Sequence, residues 1–224
     1  MIEVNNCTLF CVDCVQPELA AHALEKSCEK IKFKVVKFFS NVRPKNLHKD
    51  FEFIEIQNIN NLEEYSRFII YILPSYIDTD FCFSVHHDGF IINPELWNDA
   101  FLQYDYIGAP WKRTACFLYN GERVGNGGVS IRSKRLVDFT QKIYMNNIGH
   151  EDTFICASLR QHLTNSGFTF APLNVAANFS VEQYCDDLDH KIENTFAFHG
   201  CETEAQLNEY NKLKQSLQHQ LQSL

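Results

Sequence analysis

The chain has 224 residues, of which 45% are hydrophobic and 13% aromatic, so it can bury a substantial core and is expected to form one globular domain. Lys and Arg total 20 against 28 for Asp and Glu, and the formal net charge is −8 without a long basic run. This balance disfavours nucleic-acid binding, although it leaves room for a local pocket that takes a nucleoside diphosphate.

The first part of the chain predicts a strand, a helix and a strand in succession. Residues 7–13 have the pattern of a short buried strand, and a helix with proline in its first turn follows over 17–30. Residues 33–39 form the next β-rich run. A unit of this kind predicts a right-handed crossover and parallel pairing of its two strands.

The alternation of strands and helices continues to residue 86. Residues 51–56 and 81–86 predict two further strands, with a helix over 62–73 between them. Repeated alternation favours an α/β fold in which helices cover the sheet.

The regular alternation ends after residue 88. The elements predicted there are, in order, a short helix opened by Pro94, an aromatic loop over 104–111, a glycine-rich strand near 124, a helix over 134–144 capped by Ser133, a helix over 151–162 and a short strand over 167–172.

The tail from residue 202 carries leucine and tyrosine at steps of three or four residues, which predicts an amphipathic helix. Its opposite face is rich in Gln and Asn, so we expect it to pack on the domain or on a second subunit and not on a membrane. The apolar stripe comprises Leu207, Tyr210, Leu213, Leu217, Leu221 and Leu224.

Several absences indicate a cytoplasmic protein. No stretch approaches the roughly 18 apolar residues of a membrane span, and no basic segment followed by an apolar run opens the chain. The nine cysteines are odd in number and scattered, so we expect most of them to be reduced. Cys11 and Cys14 form a lone Cys-x-x-Cys at a strand end, where packing is favoured over zinc or redox chemistry.

Residues 125–132, Gly-Asn-Gly-Gly-Val-Ser-Ile-Arg, contain three glycines within a predicted buried strand. Glycine weakens a strand, so such a cluster is expected where something approaches the backbone closely. A ligand surface is one interpretation, and a hairpin with a bulge is the other.

Metal ligands and proton carriers lie where predicted elements start or stop. His86, His87 and Asp88 end an apolar strand, Glu151 and Asp152 open a helix, and His199 precedes a glycine. These side chains are typical of metal-assisted group transfer. Together with the glycine segment, their spacing predicts one site assembled from four loops.

Taken in chain order, the four segments resemble the motifs of the glycosyltransferases with a GT-A fold. Those motifs are an acidic strand-end motif, a glycine loop, an x-Glu-Asp motif and a late histidine. Over about residues 60–200 the chain more closely resembles a glycosyltransferase-like family catalogued as a domain of unknown function. The matching segments are YSRF at 65–68, DGF at 88–90 with Trp97 after it, YDYIGAPW at 104–111, residues 124–133, ED at 151–152, FAP at 170–172, FSVE at 179–182 and FHG at 198–200.

The resemblance implies a Rossmann-like GT-A fold with a central mixed, mostly parallel sheet flanked by helices. Residues 1–201 would form a single catalytic domain, with a nucleotide-binding half over 1–90 and an acceptor half over 91–201, followed by the helix over 202–224. The implied reaction moves a sugar from a nucleoside diphosphate sugar, with UDP as the expected nucleotide, to a carbohydrate or other hydroxyl acceptor.

The resemblance also implies Mn²⁺ or Mg²⁺ held by Asp88, with His199 and His86 as further ligands. A D-x-D motif would begin with a carboxylate where this chain has His86, so we expect the sugar diphosphate itself to complete the ligand set. Asp88 could instead form an Asp-Gly turn, and His199 could be a structural histidine.

Asp152 and the adjacent Glu151 are the candidate catalytic carboxylates. An inverting transfer would use Asp152 as the base. Both carboxylates could instead complement the dipole of the helix that begins there. In a retaining enzyme, Asp152 would orient the acceptor.

The remaining site residues are assigned by their places in the motifs. Asp13 and Arg67 could equally form surface ion pairs, and Tyr106 and Trp111 could equally pack in the core. The donor-binding set is Asp13, Arg67, His87, Asp88, Gly127 and Gly128, and the acceptor-binding set is Tyr106, Trp111 and Asn126.

Two other functions stay open. A sugar nucleotidyltransferase would carry a glycine-rich loop with arginine after its first strand, which residues 11–15 lack. A degenerate carbohydrate- or nucleotide-binding scaffold is consistent with His86 in place of an acid. A P-loop triphosphatase is disfavoured because no Gly-Lys-Ser/Thr follows a glycine loop.

Overall fold

The computed structural model describes residues 1–115, 118–188 and 190–222, which form a six-stranded and a three-stranded sheet with surrounding helices. The strands are β1 (Ile2–Val12), β2 (Ile31–Ser40), β3 (Glu52–Glu55), β4 (Phe81–Ser84), β5 (Gly89–Ile91), β6 (Tyr106–Gly108), β7 (Ser130–Ser133), β8 (Ser180–Val181) and β9 (Ala197–His199). The α-helices are α1 (Pro17–Ser27), α2 (Leu62–Arg67), α3 (Lys134–Thr140), α4 (Glu151–Thr153), α5 (Arg160–Asn165), α6 (Leu173–Phe179) and α7 (Glu204–Gln222).

The larger sheet has the order β3-β2-β1-β4-β7-β6. Strands β1 to β4 pair in parallel, whereas β7 runs antiparallel to both β4 and β6. Helix α1 begins at Pro17 and buries Leu19 and Leu24 on its way from β1 to β2. The predicted α/β class with a mixed, mostly parallel central sheet flanked by helices is therefore confirmed.

The predicted helices over 62–73 and 151–162 are each broken by a change of helix type. Helix α2 passes into a π-helical turn at Phe68–Ile72, and α4 passes into another at Phe154–Ser158. Single π turns are rare and often lie at functional sites. Here each follows the short α-helix that carries candidate site residues.

The glycine segment does not form the predicted strand. Residues 125–128 are irregular, and β7 starts only at Ser130. The backbone bends there around bulky side chains, since a Cβ at Gly125 would lie 2.1 Å from the Trp111 ring. The predicted aromatic loop over 104–111 contains β6, whereas the predicted strand over 167–172 contributes a bridge between Phe170 and Tyr106.

The smaller sheet has the order β5-β9-β8 and sets the position of His199. Strand β5 is antiparallel to β9, with Gly89 opposite His199. Strand β8 is parallel to β9, with Val181 beside Phe198. The start of β5 and the carboxyl ends of β8 and β9 therefore lie at the same edge of this sheet.

Helix α7 packs on the protein's own domain through part of the predicted apolar stripe. Leu213 is buried in a cluster with residues of α1, β5 and β9, and Tyr210 and Leu217 are partly buried against it. Leu207 and Leu221 are exposed, so only part of the predicted apolar stripe is buried against the domain. Leu224 and Cys116 lie outside the described residues.

The described cysteines are all free, and Cys11 is buried in the core of β1 while Cys14 is partly exposed after it. Among residues 1–115, 118–188 and 190–222, we find no helix with both the length and the apolar character needed to cross a bilayer.

Candidate active site

The carboxyl ends of β1 and β4 bring Asp13 and the 86–88 segment to one edge of the larger sheet, where ligands bind in open α/β sheets. One oxygen of Asp13, Oδ1, accepts hydrogen bonds from the backbone N–H groups of Val15 and Gln16, each at 2.7 Å. Its other oxygen, Oδ2, lies 2.7 Å from Nδ1 of His87.

The Asp13–His87 pair is an ion pair despite its partial burial. Burial opposes both charges, but the hydrogen bond to His87 holds the pKa of Asp13 below its ordinary value. Asp13 in turn raises the pKa of His87 above its ordinary value. Both side chains are therefore committed to each other, and they shape the loop beside the strand ends.

A possible metal site lies next to this pair. Within the described residues, one group of His, Cys, Asp or Glu side chains has suitable spacing: the ligand atoms of His86, Asp88 and His199 lie within 4.8 Å of one another. Nε2 of His199 is 3.5 Å from Oδ1 of Asp88. The rings of His86 and His199 meet edge to face with centroids 5.0 Å apart. The hydroxyl of Tyr65 lies 2.7 Å from Nε2 of His86 and orients that ring.

Two of the three groups are in the protonation state that a cation requires, and the third, His199, must lose a proton. Burial, and the proximity of His199, lower the pKa of His86 to about 3, so its imidazole is neutral. Burial opposes the charge on Asp88, but His199 holds the pKa of Asp88 well below its usual range. Against the effect of burial, Glu182 and Asp88 raise the pKa of His199 well above its usual range. A cation would displace the proton from His199 and take its place among the carboxylates.

The glycine segment lies directly under the side chains of this site. A Cβ at Gly128 would lie 2.2 Å from Cε1 of His199, and one at Gly127 would lie 2.4 Å from Oε1 of Glu151. The close approach predicted from the glycines is therefore made by protein side chains. Only residues without a Cβ leave room for His199 and Glu151 at these two positions.

Asp152 faces the glycine segment and carries an unusual charge state. Its Oδ2 accepts a hydrogen bond from the backbone N–H of Gly127 at 3.1 Å. Burial, with the neighbouring charge of Glu151, raises the pKa of Asp152 to about 7. A carboxyl group tuned in this way can exchange a proton near neutral pH.

Glu151 is occupied by a buried ion pair. Its Oε1 lies 2.9 Å from a guanidinium nitrogen of Arg132, and both side chains are almost fully buried. Its backbone N–H donates to Oγ of Ser66 at 3.1 Å. This geometry does not support the predicted catalytic role of Glu151, because its carboxylate already neutralises Arg132.

Three other predicted site residues take structural places. Arg67 pairs with Glu63 at 2.9 Å and also donates to the carbonyl of Asn146, which matches the ion-pair alternative and not a phosphate contact. Tyr106 is fully buried, and Trp111 is only 3% exposed. Neither ring offers a face to a sugar, so the core-packing alternative describes both.

Asn126 differs from these three, because its buried side chain has an unused donor. Nδ2 of Asn126 has no hydrogen-bond partner among the described residues, and the residue is only 5% exposed. Buried amide groups without partners are rare in folded proteins. The same burial shields Nδ2 from solvent, so a ligand could not contact it in this structure.

The contacts above join five predicted residues and add one that sequence reasoning missed. Asp88 touches His199, His199 lies on Gly128, and the adjacent Gly127 binds Asp152. Oε2 of Glu182 lies 2.9 Å from Nδ1 of His199. The FSVE segment at 179–182 contains this carboxylate, but its two-residue strand gives no periodic pattern that would reveal its neighbour.

A pocket of about 370 Å³ adjoins this group at the ends of β1 and β4. Its lining combines apolar side chains with Asp13 and both histidines of the strand end. The apolar part includes Val12, Val15, Ile59 and Leu62. The pocket size and composition suit a flat, mostly apolar ligand group.

Comparison with solved structures supports the fold. The chain is similar to an active-site mutant of LgtC, with 13% identity, 94% of this chain and 95% of that chain covered, and a TM-score of 0.53. It is equally similar to the galactosyltransferase LgtC in complex with donor and acceptor sugar analogues, with 13% identity, the same coverage and a TM-score of 0.52. These are GT-A glycosyltransferase folds, so that fold is shown for this chain.

A mannosyltransferase from Pyrobaculum calidifontis, solved in complex with GDP-Man and Mn²⁺, is similar over 77% of this chain and 56% of its own, with 12% identity and a TM-score of 0.50. No curated protein is significantly similar to the chain in sequence. The model of the family described as protein of unknown function (DUF5672) matches residues 48–199. Because this match spans more than half of the chain, the protein belongs to that family.

Proposed function

We propose that the protein is a glycosyltransferase that moves a sugar from a nucleoside diphosphate sugar, with UDP as the nucleotide, to a hydroxyl group of a glycan acceptor. Residues 1–90 are assigned to the donor half and residues 91–201 to the acceptor half of one catalytic domain. The observation that carries the proposal is the unbroken series of contacts from Asp88 through His199 and the glycine segment to Asp152.

This series gives the two ends that a sugar transfer needs. At one end, Asp88 and two imidazoles form a group that suits a divalent cation. At the other end, Asp152 can accept a proton near neutral pH. A sugar bound between these two ends would have its departing diphosphate near the first end and the attacking hydroxyl near the second.

The donor set fits Mn²⁺ or Mg²⁺ as part of a ternary site. His86, Asp88 and His199 would hold the ion, and phosphate oxygens and water would complete its ligands, as is usual for these cations. A bound divalent cation neutralises the charge that develops on a departing diphosphate. A single carboxylate predicts weak metal binding until the nucleotide is present.

The adjoining pocket is the proposed place of the nucleoside. It opens at the carboxyl ends of two parallel strands, where this type of sheet binds nucleotides. The Asp13–His87 ion pair shapes its wall, so both residues are assigned to donor binding through the loop they hold. Arg67 is not assigned to the donor, because Glu63 and a backbone carbonyl occupy it.

Asp152 is proposed as the base that removes the acceptor hydroxyl proton in an inverting transfer. The Gly127 N–H aims one of its oxygens, and its raised pKa makes it a stronger base than an ordinary carboxylate. Asn126 is assigned to the acceptor or the transferred sugar, a contact that requires the glycine segment to expose its buried amide donor. Configuration at the anomeric carbon of the product, read by NMR, distinguishes this mechanism from a retaining one.

Thermal unfolding with UDP, GDP and CMP, each with and without Mn²⁺, tests the function. Ligands that bind the native state raise the melting temperature, and we expect UDP with Mn²⁺ to raise it more than either alone. If no nucleotide shifts the melting temperature with metal present, the protein is a scaffold that has kept the fold without the donor site. If UDP binds but no sugar is transferred from UDP-sugars to glycans, the site is a binding site.

A further inference from the structure

Glu182 contacts a central residue of the site described above but has no role in the transfer proposed there. Oε2 of Glu182 lies 2.9 Å from Nδ1 of His199, with the side chains 19% and 18% exposed. The two atoms are at hydrogen-bonding distance without the alignment of a full hydrogen bond, and neither has another hydrogen-bond partner among the described residues. The two groups are therefore available to each other.

The fold holds this pair in register. Val181 pairs with Phe198 in the parallel ladder of β8 and β9, so Glu182 and His199 follow from paired positions on adjacent strands. The buried side chain of Gln206 then ties the two backbones together. Its Nε2 donates to the carbonyl of Glu182 at 2.9 Å and to the carbonyl of His199 at 3.0 Å.

The opposite edge of the imidazole faces the other site residues. Nε2 of His199 lies 3.5 Å from Asp88, on the far side of the ring from Glu182. A histidine that binds a metal through one ring nitrogen commonly directs the other toward a carboxylate, which fixes the orientation and tautomer of the ring. The arrangement of Glu182, His199 and Asp88 has this order.

We propose that Glu182 is a positioning residue. It accepts a hydrogen bond from the Nδ1–H group of His199 and thereby directs Nε2 toward Asp88 and a divalent cation. This role rests on the metal-assisted transfer proposed above. Glu182 touches neither donor nor acceptor in this scheme and acts through His199.

Mn²⁺ titration in the presence of saturating UDP tests the role, with bound ion measured by electron paramagnetic resonance. Loss of an outer partner of a ligating histidine typically weakens metal binding by about 10- to 100-fold, which we expect for Glu182→Ala. Glu182→Gln keeps an oxygen acceptor for the Nδ1 proton, so it should restore most of the affinity. Glu193→Gln removes an exposed carboxylate of the same charge and should leave Mn²⁺ binding unchanged.

The outcomes separate the two proposals. If wild-type protein binds Mn²⁺ with UDP and both Glu182 variants bind equally well, the positioning role is wrong while the transferase survives. Equal loss in the Gln and Ala variants would show that charge alone matters, which also overturns positioning. If the wild type itself binds no Mn²⁺ with UDP, the metal-assisted function fails and takes the role of Glu182 with it. Melting temperatures without metal, expected to be similar in all variants, exclude a folding defect.

Discussion

His199 lies so close over Gly128 that a methyl group at position 128 would be 2.2 Å from its imidazole carbon Cε1. This contact joins the smaller sheet, which carries His199, to the segment that leads into β7. The same contact connects the possible metal ligands His86, Asp88 and His199 to the segment that binds Asp152, so the two halves of the site depend on it.

Gly128→Ala should weaken Mn²⁺ and UDP binding, because the new methyl group must displace the His199 ring from Asp88. Gly127→Ala is the matched variant, since its methyl group would press on Glu151 and Asp152 instead. We expect this second change to lower turnover by more than it lowers nucleotide affinity. Binding titrations and initial rates on both variants check the contrast, and identical profiles for the two would contradict it.

Asp152→Asn should reduce transfer by about 10²- to 10⁴-fold, the usual contribution of a positioned general base, while UDP binding stays nearly intact. Asp138→Asn is a suitable control, because Asp138 pairs with Lys134 on the surface of α3. Transfer rates and UDP titrations on the two variants measure the effect. Loss of nucleotide binding together with transfer would mark Asp152 as structural.

The pH dependence of kcat/KM should follow Asp152. Burial and Glu151 raise its pKa to about 7, and a base works only when it is deprotonated. Activity should therefore fall below half its maximum as the pH drops through about 7. A rate that is flat between about pH 5 and pH 8 would show that Asp152 is not the base.

The raised pKa of Asp152 also makes the stability of the folded protein depend on pH. The pKa of aspartate in an unfolded chain is about 3.9. Between that pH and the pKa of Asp152 in the folded protein, the native state holds a proton that the unfolded state has lost. The stability from this proton is complete below about pH 4 and is lost as the pH rises through about 7. Urea unfolding should therefore show wild type losing more stability than Asp152→Asn between about pH 5 and pH 8.

Arg132→Met should destabilise the protein by about 3–5 kcal/mol, because it leaves the buried carboxylate of Glu151 without its partner. Adding Glu151→Gln should recover part of this loss, since the double variant contains no unpaired buried charge. Denaturant unfolding of the two single variants and the double variant gives the coupling free energy. Additive effects would mean that the ion pair does not organise this part of the core.

The sequence predicts the first half of the fold better than the second. Alternating strands and helices to residue 86 follow a periodic pattern, and Ser133 caps α3 as predicted, with its side chain accepting from the Leu136 N–H. The glycine segment looks like part of a buried strand in the sequence, and this prediction is wrong. Its irregular course depends on Trp111 and His199, which are distant in sequence.

Site residues were identifiable by type but not by environment. Motif order indicates Asp88, Asp152 and His199 as a group, and the structure brings them into one series of contacts. Burial decides the rest: an aromatic motif looks the same whether its rings face a sugar or, like Tyr106, the core. Glu182 lies in a short strand whose partner is known only once β8 and β9 pair.

A crystal structure with UDP and Mn²⁺, in which anomalous scattering locates the metal, is the decisive test of the proposed donor site. We expect a manganese peak bound by Asp88 and His199 and bridged to the diphosphate, with uracil in the pocket at the ends of β1 and β4 and Asp152 across the glycine segment. A manganese peak elsewhere, or a nucleotide bound away from these residues, would contradict it.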